Sequence, residues 1–196
     1  MKILTIADVE SKYFYDFYTP GKLRDFELII ACGDLNRHYL EFLVTMARCP
    51  LLYVPGNHDS AFEKEPPEGC ISIDGEIYVH NGVRIMGLGG SHRYKKGGYM
   101  YTERQMENRI RRMWFKIWRH RGFDILVTHA PARYLNDFDS ISHRGFQCFH
   151  KLLERHKPRY FIHGHIHKNY GIKIPQRTVY GETTVINAYD HCSIEY

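Results

Sequence analysis

Leu51-Leu52-Tyr53-Val54-Pro55-Gly56-Asn57-His58-Asp59 joins an apolar run of strand length to a glycine and then to three polar side chains that can bind a metal or move a proton. The same arrangement recurs along the chain. Ile3 to Ala7 leads into Asp8, Leu28 to Cys32 into Gly33-Asp34, Ile125 to Thr128 into His129, and Tyr160 to Ile162 into His163-Gly164-His165-Ile166-His167. A lone histidine after a strand is usually a boundary residue, and a lone aspartate there is often a helix cap. Five such endings in chain order, with glycine ahead of three of the polar centres, are not explained that way. In parallel α/β sheets functional residues gather beyond the carboxyl ends of the strands, so these side chains are expected to meet in space.

Between the runs lie amphipathic segments of helical length, and this alternation is the pattern of an α/β domain. From Arg37 to Arg48, Tyr39 or Leu40, Leu43, Val44 and Ala47 recur at helical spacing and predict a crossover helix. Ile77 to Val79 and Val83 to Leu88 flank Asn81-Gly82, a dipeptide suited to a tight hairpin, so antiparallel strands join the sheet system. Thr102 with Gln105 forms a capping-box pattern. It opens a helix from Glu103 to Arg121 whose apolar stripe is Met106, Ile110, Met113, Trp114 and Ile117, with Gly122 as its stop. A shorter helix is expected over Phe146 to Arg155. Further strands are expected from Gly171 onward, including Thr183 to Asn187 and His191 to Glu195.

The chain has 196 residues, 43% hydrophobic and 25% charged, which are globular proportions for one domain over residues 1–196. No stretch approaches the roughly 20 apolar residues that cross a bilayer, so a soluble protein without a membrane partner is expected. The run before Asp8 is too short for a secretory signal. Five cysteines without a Cys-x-x-Cys pair argue against a disulfide framework or zinc ribbon and suit a reducing, cytoplasmic setting. A net charge of +5 eases the approach of acidic partners without choosing between phosphoesters and nucleic acid.

Glycine at positions 33, 56 and 164 is expected to turn the backbone sharply out of the strand and let the next side chain face a crowded site. The donors are carboxylate oxygen, amide oxygen and imidazole nitrogen without thiolate, which suits manganese, iron or zinc better than a structural zinc site. They are too many for one open ion. Two divalent ions sharing a bridging carboxylate would use them all and would generate a hydroxide nucleophile near neutral pH.

Asp8-Val9-Glu10, Gly33-Asp34, Gly56-Asn57-His58-Asp59, Thr128-His129 and Gly164-His165-Ile166-His167 resemble, in this order, the motifs of the calcineurin-like metallophosphoesterases. The resemblance spans nearly the whole chain. It implies an α/β fold of two mixed β-sheets packed as a sandwich between helices, four layers in all. It also implies one metal on Asp8, Asp34 and His167 and a second on Asp34, Asn57, His129 and His165, with Asp34 bridging. His58 would contact the phosphoryl group and protonate the leaving oxygen, with Asp59 tuning or orienting its ring. Glu10 stands where most members have a histidine; as an oxygen ligand it would harden that site toward manganese, magnesium or iron. The stretch from Gly122 through His129-Ala130-Pro131 to His167 and Tyr170-Gly171 resembles small, uncapped members acting on phosphodiesters or nucleotides. The implied chemistry is attack of metal-bound hydroxide on such an ester. Nuclease-type activity, or a non-catalytic interaction module with an impaired metal site, is the alternative.

Around this centre, several residues have two readings. His143-Arg144-Gly145 follows an acidic loop with Asp137 and Asp139 and either reaches substrate or opens a helix. Arg93, after the glycine-rich Gly87 to Gly90, is a candidate phosphate contact where no P-loop lysine exists. The arginines of the 103–121 helix either guide polyanions or form a solvated face, and Trp114 and Trp118 pack into the core or against a partner. The aromatics from Tyr13 to Tyr18 wall the site or pack locally.

Overall fold

Successive residues of a strand face opposite sides of its sheet, so a run apolar at every position must be covered twice. The computed structural model, which describes residues 1–167 and 174–196, shows this double cover. Ile3, Leu28, Ile30, Ile85, Ile125 and Ile162 share one buried layer, to which both large sheets contribute. Their neighbours turn the other way: Leu4 and Ile29 pack with Tyr39, Leu40 and Leu43, while Leu126 and Phe161 pack with Met106, Ile117 and Phe149.

In chain order the strands are β1 (Lys2–Ala7), β2 (Leu28–Ala31), β3 (Leu51–Tyr53), β4 (Ile71–Ser72), β5 (Ile77–His80), β6 (Val83–Leu88), β7 (Ser91–His92), β8 (Met100–Tyr101), β9 (Ile125–Thr128), β10 (Tyr160–His163), β11 (Arg177–Tyr180), β12 (Thr183–Asn187) and β13 (Asp190–Glu195). The helices are α1 (Arg37–Met46), α2 (Glu103–Arg112), α3 (Trp114–Arg119) and α4 (Cys148–His156). One sheet has the order β13-β1-β2-β3-β4 and the other β11-β12-β10-β9-β6-β5. Their centres are parallel; antiparallel β13, β11 and β5 form three of the four edges, and the short parallel β4 forms the fourth. This is the expected sandwich of mixed sheets between helical layers. The parallel arrangement brings the ends of β1, β2, β3, β9 and β10 to the two sheets' carboxyl edges. Tyr170 and Gly171 lie outside the described residues.

Local signals explain most of the elements. Asn36 caps α1, its side chain accepting from the His38 amide at 2.8 Å, and Thr102 and Gln105 form the reciprocal capping box of α2. Asn81 (φ 48°) and Gly82 (φ 81°) turn the β5–β6 hairpin. The expected helix over 103–121 is instead two helices, because the Met113 amide bonds back only three residues to Ile110 and the turn there tightens. Met106, Met113 and Ile117 are buried as expected, but Trp114 is 64% and Trp118 68% exposed, which removes them from the core. Arg121, in left-handed conformation, ends α3, with the Gly122 amide bonding to the Ile117 carbonyl. Arg84 fastens this end: it donates to Asp124 Oδ2 and to the carbonyls of His120 and Arg121.

Two outcomes follow from this packing. Leu126→Ala, at a fully buried position between β9 and the helices, should cost about 3 kcal/mol, read as a lower urea midpoint with an unchanged slope. The Asp124 carboxylate is held below its ordinary pKa by its hydrogen bond to Arg84, so its contribution is complete above the unfolded value and lost as pH falls through the folded one. Asp124→Asn should therefore flatten the acid limb of stability below about pH 4, measured by urea unfolding at successive pH values.

Candidate metal centre

The strand-end residues meet because the loops carrying them touch backbone to backbone. A Cβ on Gly56 would lie 2.1 Å from Asp34 Oδ1, one on Gly33 would lie 2.4 Å from the Gly56 nitrogen, and one on Gly164 would lie 2.7 Å from Ala7 Cβ. At Gly56 and Gly164 the glycine is needed for close approach rather than for a turn, and of the three only Gly33 has positive φ, at 92°. The left-handed turns fall largely on the polar residues themselves: Asp8 (φ 69°), Asp34 (φ 55°) and His165 (φ 68°). Strain of this kind costs roughly 1–3 kcal/mol per residue and persists only where the surroundings enforce it.

Backbone groups aim the donors. His129 Nδ1 is 2.7 Å from the Cys32 carbonyl, which can only accept, so Nδ1 carries a proton and Nε2 faces inward. His165 Nε2 donates likewise to the Ser142 carbonyl at 2.7 Å, leaving Nδ1 inward. The two inward nitrogens are 3.0 Å apart, with Asn57 Oδ1 3.1 Å and Asp34 Oδ2 3.4 Å from His129 Nε2. Ligand atoms of Asp34, His129 and His165 all lie within 4.8 Å of one another. Asp34 Oδ1 accepts from the His58 amide at 2.7 Å, and both Asp8 oxygens accept from the His165 amide, at 3.0 and 2.9 Å. His167 Nε2 is 3.6 Å from Asp8 Oδ1.

Four electron-pair donors on one point repel unless a cation lies among them, and the electrostatics reflect this. Burial alone would keep His129 neutral, but the Asp34 carboxylate outweighs it and pushes the His129 pKa up to about 9. Burial opposes ionisation of Asp34 too, yet His129 holds its carboxyl well below the usual range. Burial and the neighbouring His129 lower His165 to about 3. The cluster's oxygen and nitrogen donors fit a divalent ion.

A cavity of about 300 Å3 opens over this cluster, lined by Asp8, Asp34, Asn57, His58, His165 and His167, and also by Tyr94, Ser142 and His143. His58 lines this cavity, its Nε2 4.0 Å from Asp34 Oδ2. Asp59, expected to tune or orient the His58 ring, also braces the loops around it. It is buried, and its Oδ2 accepts the amides of Asp34 and Gly56 at 2.8 and 2.7 Å, tying two motif loops together. Glu10 is exposed and turned from the cavity; its Oε1 accepts the Asn36 amide at 3.2 Å, where the start of α1 favours a carboxylate. Arg93 is turned aside as well, onto the Met100 carbonyl at 3.2 Å. His143 joins the cavity rather than opening α4, because Arg133 anchors the acidic loop through Asp137 at 2.7 Å. The aromatics from Tyr13 to Tyr18 do not line the cavity: Phe14 is buried and Tyr15 packs against Tyr39 and Phe42, whereas Phe17 is largely exposed. Tyr94, whose hydroxyl is 3.5 Å from Asn57 Nδ2, and Ser142, which acts through its carbonyl, carried no sequence signal.

The calcineurin-like phosphoesterase family profile matches residues 1–169, and the chain belongs to that family. Two curated relatives from Caenorhabditis elegans are each 26% identical: UPF0046 protein C25E10.12, over 80% of this chain and 62% of its own length, and UPF0046 protein K07C11.7, over 96% and 69%. The chain thus spans roughly two thirds of the curated relatives it matches. The fold is similar to that of TT1561 of Thermus thermophilus (TM-score 0.60, 14% identity, 96% of this chain and 89% of that one). It is also similar to that of a 5'-nucleotidase from Candida albicans (TM-score 0.54, 14% identity, 95% and 45%). The family implies metal-dependent phosphoester hydrolysis, and Asp34, His129 and His165 form a candidate metal site in this chain.

Gly56→Ala should push the Asp34 carboxylate out of the cluster and weaken manganese binding at least about tenfold by calorimetry. An unchanged affinity would show that Asp34 is not held by this contact.

Proposed function

We propose that this phosphoesterase hydrolyses a phosphodiester or nucleotide phosphoester with two divalent ions, manganese or iron in preference to zinc or magnesium. The convergence of Asp34 Oδ2, Asn57 Oδ1, His129 Nε2 and His165 Nδ1 carries this reading, since that set suits a cation and little else. Asp8 and His167 line the same cavity and would hold the second ion, with Asp34 between the two. Ions so held supply Lewis acidity toward a phosphoryl oxygen and a nucleophile drawn from water near neutral pH.

The chain's own residues supply the rest. The His58 ring is 64% exposed at the cavity, where it can hand a proton to the leaving oxygen, and its amide fixes Asp34. Asn57 offers its oxygen to the centre and its Nδ2 toward the Tyr94 hydroxyl, so Tyr94 and His143 face a bound ester from the open side. A cavity of about 300 Å3 suits one phosphoester group with a small substituent. Glu10 is outside this proposal as a ligand; its role is to support the start of α1. The nucleic-acid reading loses part of its basis, because Arg109 is engaged by Asp74 and Lys116 by Glu76.

Manganese-loaded protein should cleave bis-p-nitrophenyl phosphate faster than p-nitrophenyl phosphate, and failure on both esters with manganese, iron, zinc and magnesium would sink the proposal. His58→Ala should lower kcat by about 100-fold or more while metal content by elemental analysis stays the same. Loss of metal from that variant would make His58 a ligand instead.

A further inference from the structure

A second cavity, of about 850 Å3, lies between α2, α3 and α4 and shares no lining residue with the metal centre. Its lining includes the aliphatic Ile110, Ile117 and Leu152 together with Trp114 and Trp118. The two tryptophans are 64% and 68% exposed. Phe115, 52% exposed, extends the aromatic edge, with its ring 6.0 Å from that of Trp114 and 5.8 Å from that of Trp118. A folded chain gains by burying its largest apolar side chains, and three left in water beside an aliphatic hollow form the kind of patch that marks an interaction site.

Charge narrows the occupant. Arg111, Arg121, Lys151 and Arg155 stand around the hollow, and its one carboxylate, Glu107, faces Lys151 at 4.0 Å. At Arg121, Gly122, Arg155 and His156 the hollow adjoins a neighbouring cavity of about 520 Å3 that Arg159 also lines. That cavity's two carboxylates, Asp124 and Glu182, are engaged by Arg84 and Lys157, so with Arg121, Arg155 and Arg159 beside them an apolar cleft leads into one of net positive charge.

We propose that this cleft docks a segment of a partner protein that places large apolar side chains between Trp114 and Trp118 and carries acidic residues on its flank. A second copy of this chain docked through the same face would set these cations against themselves. A lipid surface or nucleic acid would bring anions, but it would leave the concave aliphatic hollow unfilled. Apolar anchors projecting from one face of a helix or strand fill such a groove.

Trp114 and Trp118 are the chain's two tryptophans, so intrinsic tryptophan emission reports on this cleft alone. The test is selection of a random peptide library on the whole chain, with counter-selection on Trp118→Ala, a variant whose thermal midpoint should match the wild type. Enrichment should yield peptides with large apolar residues at helical or alternate spacing beside Asp and Glu. A synthetic copy should shift the emission to the blue and bind at least tenfold more weakly to Lys151→Glu/Arg155→Glu. Lack of enrichment over the counter-selected variant overturns the proposal, as do winners without acidic residues. It is equally overturned if phosphatidylserine vesicles, an oligonucleotide or raised protein concentration alone gives the same blue shift at comparable concentration.

Discussion

In this centre four of the polar side chains are each fixed by a backbone group from a different part of the chain. His129 is held by the Cys32 carbonyl, His165 by the Ser142 carbonyl, Asp34 by the His58 amide and Asp8 by the His165 amide. Because these partners are main-chain atoms, the donors keep their aim only while five loops stay in register, and the loops stay in register because two sheets bury both faces of their strands. The sandwich and the centre are therefore one construction. Asp59 shows the dependence most directly, since a single buried oxygen joins the Asp34 loop to the Gly56 loop.

Much of this was legible in the sequence for a physical reason. Strands covered on both sides must be apolar at every position, so Leu28 to Cys32 or Ile125 to Thr128 stand out against amphipathic helices, and the polar residue ending each run marks the sheet edge. The capping box at Thr102 and the hairpin at Asn81-Gly82 were legible because their chemistry is local. What was not legible depends on distant partners. Glu10 turns to the Asn36 amide, Arg93 to the Met100 carbonyl, and Tyr94 enters the cavity from a loop whose path no neighbouring residue announces.

The exposed tryptophans teach a related lesson. Periodicity placed Trp114 on the stripe of Met106, Met113 and Ile117, and a continuous helix would have kept it there. The tightened turn at Met113 resets the phase, so the next residue faces water. A hydrophobic period predicts burial only as far as the helix keeps one axis.

The left-handed conformations of Asp8, Asp34 and His165 also constrain which substitutions the chain can accept. Glycine would relax the backbone at these positions but would remove the donor side chain, and most other residues would keep the strain without supplying one. Aspartate, asparagine and histidine are the side chains that tolerate positive φ comparatively well and also carry a metal-binding atom. The alphabet open to drift at the heart of the protein is thus set by the peptide backbone before the metal makes any demand.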